Sequence, residues 1–409
     1  MTAPTLTPSI DQSIRRLAAS HHEWRAQSPR QRSARVASLR RAVCTAQTEI
    51  AASIADDTGK SAREALMQEV TAVLDASRHM ERHYPRWLRP RRFRHLRPGF
   101  WLKSNEVQFD GLGIVAIIGP GNFPFSLVLM QSIAALLCGN SVVIKPSERA
   151  PRTAAIVGEL LENAGLSPGR VRVIRGGPET ALQLARHPGV AKVLFTGGTE
   201  AGRQIARECG KSMKPCVLEL GGNAAAIVCR DANVRLAARG IHWSATYARG
   251  ESCVGTRRVF VHRDVAGAFS RALEQEAGAS VLDTIAIEQV VHELEAVQEI
   301  NAGPHGLSAS IWSRGMRQAR RLASDLQAGI VWINDVAAGM PQMPWGGTRG
   351  SGWGRLYARA ALPELTHLRC VSAERRFTAA PKFWWYPYTE SKERLVRIVN
   401  RVFYGGRPR

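Results

Sequence analysis

The chain is poor in lysine, in paired cysteines and in long apolar runs, and each shortage removes a class of protein. Only eight of its 56 basic residues are lysine. The arginines are scattered over the whole length, so the formal net charge of +22 reads as a compositional bias rather than a face built for nucleic acid. The densest cluster, Arg86-Trp87-Leu88-Arg89-Pro90-Arg91-Arg92-Phe93-Arg94-His95-Leu96-Arg97, carries neither zinc-finger spacing nor an aromatic RNA-binding signature and is expected to be a solvated linker. Seven cysteines, at positions 44, 138, 209, 216, 229, 253 and 370, form an odd set without CxxC spacing. That argues against a disulfide framework or a metal site and fits a reducing cytoplasm. No run approaches the roughly 20 uncharged residues of a membrane-spanning helix, and Met1 to Asp11 lacks the basic-then-apolar order of a secretory leader. A soluble, unprocessed, cytoplasmic protein with no nucleic-acid partner is expected.

What is present is a well-packed α/β pattern. With 409 residues and 44% hydrophobic content, two domains are expected. From Ser13 to about Arg82 apolar residues recur at helical spacing, as in Ile14, Leu17 and Ala18, then Val36, Leu39 and Val43. Phe100 to Lys103 and Glu106 to Phe109 read as two short strands of a projecting hairpin. Beyond Gly113, strands predicted at Ile114–Ile118, Ser141–Ile144, Val171–Ile174 and Lys192–Phe195 alternate with helices at Leu127–Leu137, Thr153–Ala164 and Glu179–Arg186. A second alternation has strands at Ala225–Val228, Arg258–Val261, Ala309–Trp312 and Gly329–Ile333. Such alternation predicts parallel sheets covered on both faces, with ligands off the carboxyl ends of the strands. The tail holds Phe383-Trp384-Trp385-Tyr386-Pro387-Tyr388 and a basic helix from Lys392 to Phe403. An aromatic cluster beside a basic helix can sit at a membrane interface; packing against the same chain or a sister subunit is expected instead.

Four segments at predicted strand ends carry chemistry. In Ile117-Ile118-Gly119-Pro120-Gly121-Asn122-Phe123-Pro124 an amide stands on a turn, where it can donate to an oxygen that becomes negative during acyl transfer. In Ile144-Lys145-Pro146-Ser147-Glu148 an ammonium and a carboxylate three residues apart can hold ribose hydroxyls from two sides, or form a surface ion pair. In Phe195-Thr196-Gly197-Gly198-Thr199-Glu200-Ala201-Gly202 glycines precede a helix N-terminus, which suits a pyrophosphate although the spacing is not GxGxxG. Finally, Glu219 on a glycine turn, Leu218-Glu219-Leu220-Gly221-Gly222-Asn223, precedes Cys253 among small residues. A thiol and a carboxylate are what covalent attack on a carbonyl followed by hydrolysis requires.

In this order the segments resemble the NAD(P)-dependent aldehyde dehydrogenase superfamily, from Ile10 to about Ser372. Gly329-Ile330-Val331-Trp332-Ile333-Asn334 and Trp345 to Arg355 resemble its closing motifs. The resemblance implies a Rossmann-type parallel-sheet cofactor domain (1–97 and 112–221) and a smaller, truncated α/β catalytic domain (222–356). Bridging or oligomerisation elements would lie at 98–111 and 365–380, and a tail at 381–409. It also implies oxidation of an aldehyde to its acid through a Cys253 thiohemiacetal and thioester. Asn122 and the Cys253 N–H would hold the oxyanion, and Glu219 would activate water. Lys145 and Glu148 would grip the adenosine ribose, Thr196, Gly197, Gly198 and Gly202 would lie beneath the pyrophosphate, and Ile118, Pro120, Ser147, Gly177, Phe195 and Leu220 would complete the cofactor's surroundings. The acid at Glu148 favours NAD over NADP. A homodimer is the default assembly.

The chain departs from that pattern at Gly121, Gly198, Asn223 and Glu251, where tryptophan, serine, lysine and glutamine are usual. A carboxylate at Glu251 would raise the Cys253 pKa. Several dozen residues are also missing between His262 and Asn301, and Ala279-Ser280-Val281-Leu282-Asp283 occupies the place of a segment whose glutamate binds the nicotinamide ribose. A smaller second sheet is expected. The alternative reading is an impaired homologue that retains nucleotide or partner binding.

Overall fold

A computed structural model describes residues 9–93, 103–277, 285–337, 339–374 and 382–405. The chain divides into two compact units, Met1–Arg89 with Phe109–His367, and Pro90–Gln108 with Leu368–Arg409.

The first unit opens with helices Ile10–Ala26, Pro29–Thr45, Gln47–Thr58 and Thr71–Trp87. Local signals punctuate the long helical period. Ser28 with Gln31, and Ser61 with Glu64, close capping boxes, and Gly59 (φ 70°) takes the left-handed position that ends Gln47–Thr58. These helices bury Trp24, Leu39, Ile54 and Tyr84 against Val115, Ile117 and Val142 on one face of a six-stranded sheet. Ala116, Ile118, Val143 and Val193 on the other face pack with Leu184 and Ile205. Burial on both faces explains why its strands read as continuous apolar runs.

The order in that sheet is Gly352–Trp353, Cys216–Glu219, Lys192–Thr196, Ile114–Ile118, Ser141–Lys145, Val171–Val173. All pairings are parallel except that of Gly352–Trp353 with Cys216–Glu219. The second sheet is wholly parallel, in the order Ala286–Val290, Thr256–His262, Ala224–Val228, Ser308–Trp312, Ile330–Ile333. The expected strands are present with ends moved by one or two residues. Ala286–Val290 was not foreseen, because as an edge strand it buries only Val290.

In the second unit Arg91–Phe93 pairs antiparallel with Lys103–Gly111, which also neighbours Thr366–Glu374. Two expectations are corrected here. Lys103–Gly111 is one continuous strand rather than the second half of a two-strand hairpin, and Arg91–Phe93 is a strand rather than linker. Phe100, Trp101 and Leu102 lie outside the described residues, as do Ala279 to Asp283. The expected tail helix runs Glu390–Tyr404, and none of its residues is buried among the described residues.

Candidate active site

Register places the predicted residues along one sheet edge. Ile118 pairs with Lys145 on one side and Phe195 on the other, and Thr196 pairs with Glu219. The strands therefore end together, and the turns after them project from the same edge. Lys145 is buried and its Nζ donates to Glu148 Oε2 at 2.5 Å, which holds the Glu148 carboxyl below its ordinary value. Glu148 itself is half exposed. Ser147 Oγ accepts from the Arg149 N–H at 3.2 Å, behind the Pro120 turn. Gly177 and Gly198 sit at the N-termini of helices Pro178–Arg186 and Thr199–Lys211, without side-chain caps and with open space where a Cβ would be. Gly202, one turn into the second helix, permits contact with Leu220: a Cβ there would come within 2.3 Å of its side chain.

Glu219 ends its strand buried, and its Oε1 has no hydrogen-bond partner among the described residues. Burial pushes its carboxyl up to about 8, with Arg355 opposing weakly. Gly346 (φ 151°) brings the backbone close beside this oxygen; a Cβ there would lie 2.9 Å from Oε1.

Cys253 precedes the Thr256–His262 strand of the other sheet. Three consecutive residues before it, Ala248, Arg249 and Gly250, have left-handed φ of 53°, 57° and 74°. Two of them are not glycine, a strain that surrounding contacts must hold in place. Arg249 donates to the Gly59 carbonyl at 3.0 Å, and Arg257 reaches the Gly250 carbonyl. Gly222 fits because the Cys253 carbonyl would lie 2.4 Å from a Cβ there, so the glutamate turn and the cysteine loop are in backbone contact. The thiol is pushed up to about 12, first by burial and then by the Glu219 carboxylate, while the N–H groups of Cys253 and Val254 favour the thiolate more weakly. The neighbouring acid foreseen as the perturber is not among the causes. The Glu251 carboxylate pairs with Arg149 at 3.1 Å, both half exposed or more, and the charge is satisfied away from the sulfur.

Asn122 binds this loop directly, its Nδ2 donating to the Glu251 carbonyl at 2.8 Å. Its turn is held from below by two residues that sequence reasoning missed. Lys60 Nζ donates to the Asn122 carbonyl at 2.6 Å and to Glu69 Oε1 at 2.8 Å, with both side chains almost fully buried. Glu69 Oε2 accepts the N–H groups of Phe125 and Ser126, where helix Ser126–Leu137 begins. The same ammonium lies 4.0 Å over the Phe123 ring. Glu69 belongs to a single π-turn, Leu66–Val70, which interrupts the helix. The signal available in the sequence was a carboxylate beside Val70 on an apolar helical face.

A cavity of about 780 Å³ gathers Asn122, Thr196, Gly197, Gly198, Glu219, Leu220 and Cys253. Apolar residues such as Met67, Phe123, Met130 and Trp345 form much of its remaining wall. Of the residues expected around a cofactor, Ile118, Lys145, Ser147, Glu148, Gly177, Phe195 and Gly202 are not part of this cavity's lining. Tyr357, also unforeseen, lines it with a buried hydroxyl that has no partner among the described residues. Burial, then Glu219 and Cys253, push its pKa up. Among the described residues no group of His, Cys, Asp and Glu could hold a metal ion.

The chain is similar to known proteins over most of its length. Over 337 aligned residues the chain is 31% identical to phenylacetaldehyde dehydrogenase of Pseudomonas fluorescens, an alignment that covers 64% of this chain and 66% of that protein. The crystal structure of an NAD-dependent aldehyde dehydrogenase from Sinorhizobium meliloti superposes with a TM-score of 0.85 at 23% identity, covering 92% of this chain and 88% of that one. That of an E. coli NADP-dependent enzyme superposes with a TM-score of 0.83 at 22% identity, covering 89% and 90%. The Aldehyde dehydrogenase family model matches residues 5–284 and 284–371, two stretches that meet inside the shortened interval. By this match the chain belongs to the aldehyde dehydrogenase family.

Proposed function

We propose that the protein oxidises an aldehyde to a carboxylic acid, with NAD as hydride acceptor. The observation that carries this reading is the meeting, in one cavity, of the Cys253 thiol and the unpartnered Glu219 oxygen. The residues of the sheet edge fit the cofactor. Open glycine turns at two helix N-termini suit a pyrophosphate, and the Lys145–Glu148 pair offers both a donor and an acceptor to a ribose diol. NAD, when bound, would supply the acceptor for a hydride.

In this chemistry the Cys253 thiol loses its proton to solvent, and the sulfur attacks the carbonyl carbon. The resulting oxyanion is held by the second N–H of Asn122 Nδ2 and by the Cys253 backbone N–H. Loss of hydride from that carbon leaves a thioester on Cys253. Glu219 then takes a proton from the attacking water, the carbon–sulfur bond breaks, the acid leaves, and Glu219 passes that proton to the departing sulfur. A carboxyl pushed up to about 8 is well matched to this task near neutral pH.

The test is a panel of aliphatic and aromatic aldehydes incubated with NAD while the absorbance of the reduced cofactor is followed. Reduction that disappears in Cys253→Ala supports the reading. Absence of reduction with every aldehyde at high protein concentration overturns it, and NAD binding retained in that case would favour the impaired homologue.

A further inference from the structure

The Glu390–Tyr404 helix places its apolar residues on one side and buries none of them. At 100° per residue, Leu395, Val396, Ile398, Val399, Val402 and Phe403 share one arc, while Arg394, Arg397 and Arg401 occupy the opposite one. Ile398 and Val402 are 58% and 72% exposed. An amphipathic helix of this kind ordinarily covers its apolar stripe against a core. The preceding segment adds exposed Phe383, Trp385, Tyr386 and Tyr388. Lys392 joins the two parts: its ammonium donates to the carbonyls of Trp385 (2.7 Å) and Pro387 (2.9 Å) and lies 5.8 Å from the Phe383 ring. Thr389 caps the helix N-terminus. The aromatic loop and the helix are thus a single ordered element whose apolar surface is uncovered among the described residues, too extensive for scattered exposed residues.

Charge decides what covers it. From Lys382 onward the sequence holds seven basic residues and two acidic ones, and both acids sit in i,i+4 pairs with Arg394 and Arg397. A second copy of this element would bring the same positive charge against it. An anionic surface is complementary, and tryptophan and tyrosine, apolar in body and polar at the tip, suit the headgroup level of a bilayer. A helix of 15 residues is about 22 Å long, short of the ~30 Å hydrocarbon core. No helix among the described residues is long and apolar enough to cross a membrane.

We propose that Phe383–Tyr404 is an in-plane anchor that docks this protein on bilayers containing anionic phospholipid. The apolar arc and the aromatic loop enter the interface, and the arginines lie toward the headgroups.

The test is flotation of the full chain with vesicles of phosphatidylcholine containing phosphatidylglycerol, beside vesicles of phosphatidylcholine alone, at low and high salt. The protein is expected to float with the anionic vesicles, to be released by salt, and to show blue-shifted tryptophan emission when bound. The double variant I398D/V402D should stay in solution with an unchanged melting temperature, since neither side chain is buried. The triple variant R394Q/R397Q/R401Q should partition about a hundredfold more weakly. Absence of flotation on anionic vesicles, or equal flotation of I398D/V402D, overturns the proposal. So does light scattering that shows I398D/V402D turning a dimer into a monomer while vesicle binding is absent, because the apolar face then belongs to a second copy.

Discussion

Lys60 and Asn122, 62 residues apart, are joined by a hydrogen bond of 2.6 Å from a buried ammonium to a backbone carbonyl. The bond places an ion pair directly beneath the turn that carries the proposed oxyanion donor. The residue before Lys60, Gly59, accepts from Arg249 of the cysteine loop, and Asn122 donates to Glu251 of that same loop. Three segments distant in sequence therefore meet at one corner, and the geometry between donor and nucleophile depends on it. Lys60→Met should lower kcat about tenfold to a hundredfold, as a displacement of about 1 Å would. It should also cost about 3–5 kcal/mol by leaving Glu69 buried without its ion partner. The double variant K60M/E69L should recover part of the melting temperature without recovering kcat. Recovery of both would make the pair a purely structural one.

Asn122→Ala removes a side chain that touches the reacting oxygen in the proposed chemistry. A fall in kcat of about a hundredfold to a thousandfold is expected. Asn122→Asp should be at least as damaging, since a carboxylate offers no N–H and repels the oxyanion. Steady-state kinetics with saturating cofactor gives the comparison.

The proposed preference for NAD rests on Glu148, whose carboxyl is held below its ordinary value by the Lys145 hydrogen bond. A 2′-phosphate placed there would meet a negative charge. NAD should bind more tightly than NADP by about tenfold, a modest ratio because Glu148 is half exposed and screened. Glu148→Gln should narrow the ratio toward one. Fluorescence titration of both cofactors measures it, and equal affinities for the unchanged protein would contradict the assignment.

The central strands were legible because each is buried on both faces, so that Ile114–Ile118 and Ser141–Lys145 appear as unbroken apolar runs between glycine turns. Their ends shifted by a residue or two where pairing, which sequence does not display, prolongs the strand: Thr196 pairs with Glu219 and Thr256 with Ala224. Exposed strands such as Arg91–Phe93 bury no side chain and so show no alternating apolar pattern. In the site, the residues on strand-end turns were legible one motif at a time. The Lys60–Glu69 pair was not, because its meaning arises only when the π-turn, the Asn122 turn and a helix N-terminus come together. Tyr357 was hidden for the same reason, standing on a backbone with left-handed φ (64°) that only the folded structure reveals.

Tyr357 Oη and Glu219 Oε1 are buried oxygens without partners among the described residues, in the lining of one cavity. A water shared between them would satisfy both. Tyr357→Phe should slow thioester hydrolysis about tenfold, by loss of the hydrogen bond that orients this water, while the first turnover keeps its rate. Stopped-flow absorbance separates the two phases.

Glu219→Gln tests the base and the cost of burying it in one variant. Glutamine cannot take the proton of the attacking water, so one equivalent of reduced cofactor should form per site and turnover should then stop. Stability should respond in a direction fixed by linkage. Burial raises the Glu219 pKa from 4.5 to about 8. Between those values the folded state binds the extra proton, and stability therefore declines as pH rises through that window. The variant has no such proton to lose. At pH 5 the two proteins should melt alike, and at pH 9 the variant should be the more stable by about 3–5 kcal/mol. Thermal melts across that range measure the divergence. Parallel curves would mean that Glu219 is ionised and solvated in the folded protein, and a carboxylate of that kind would be too weak a base for the step assigned to it.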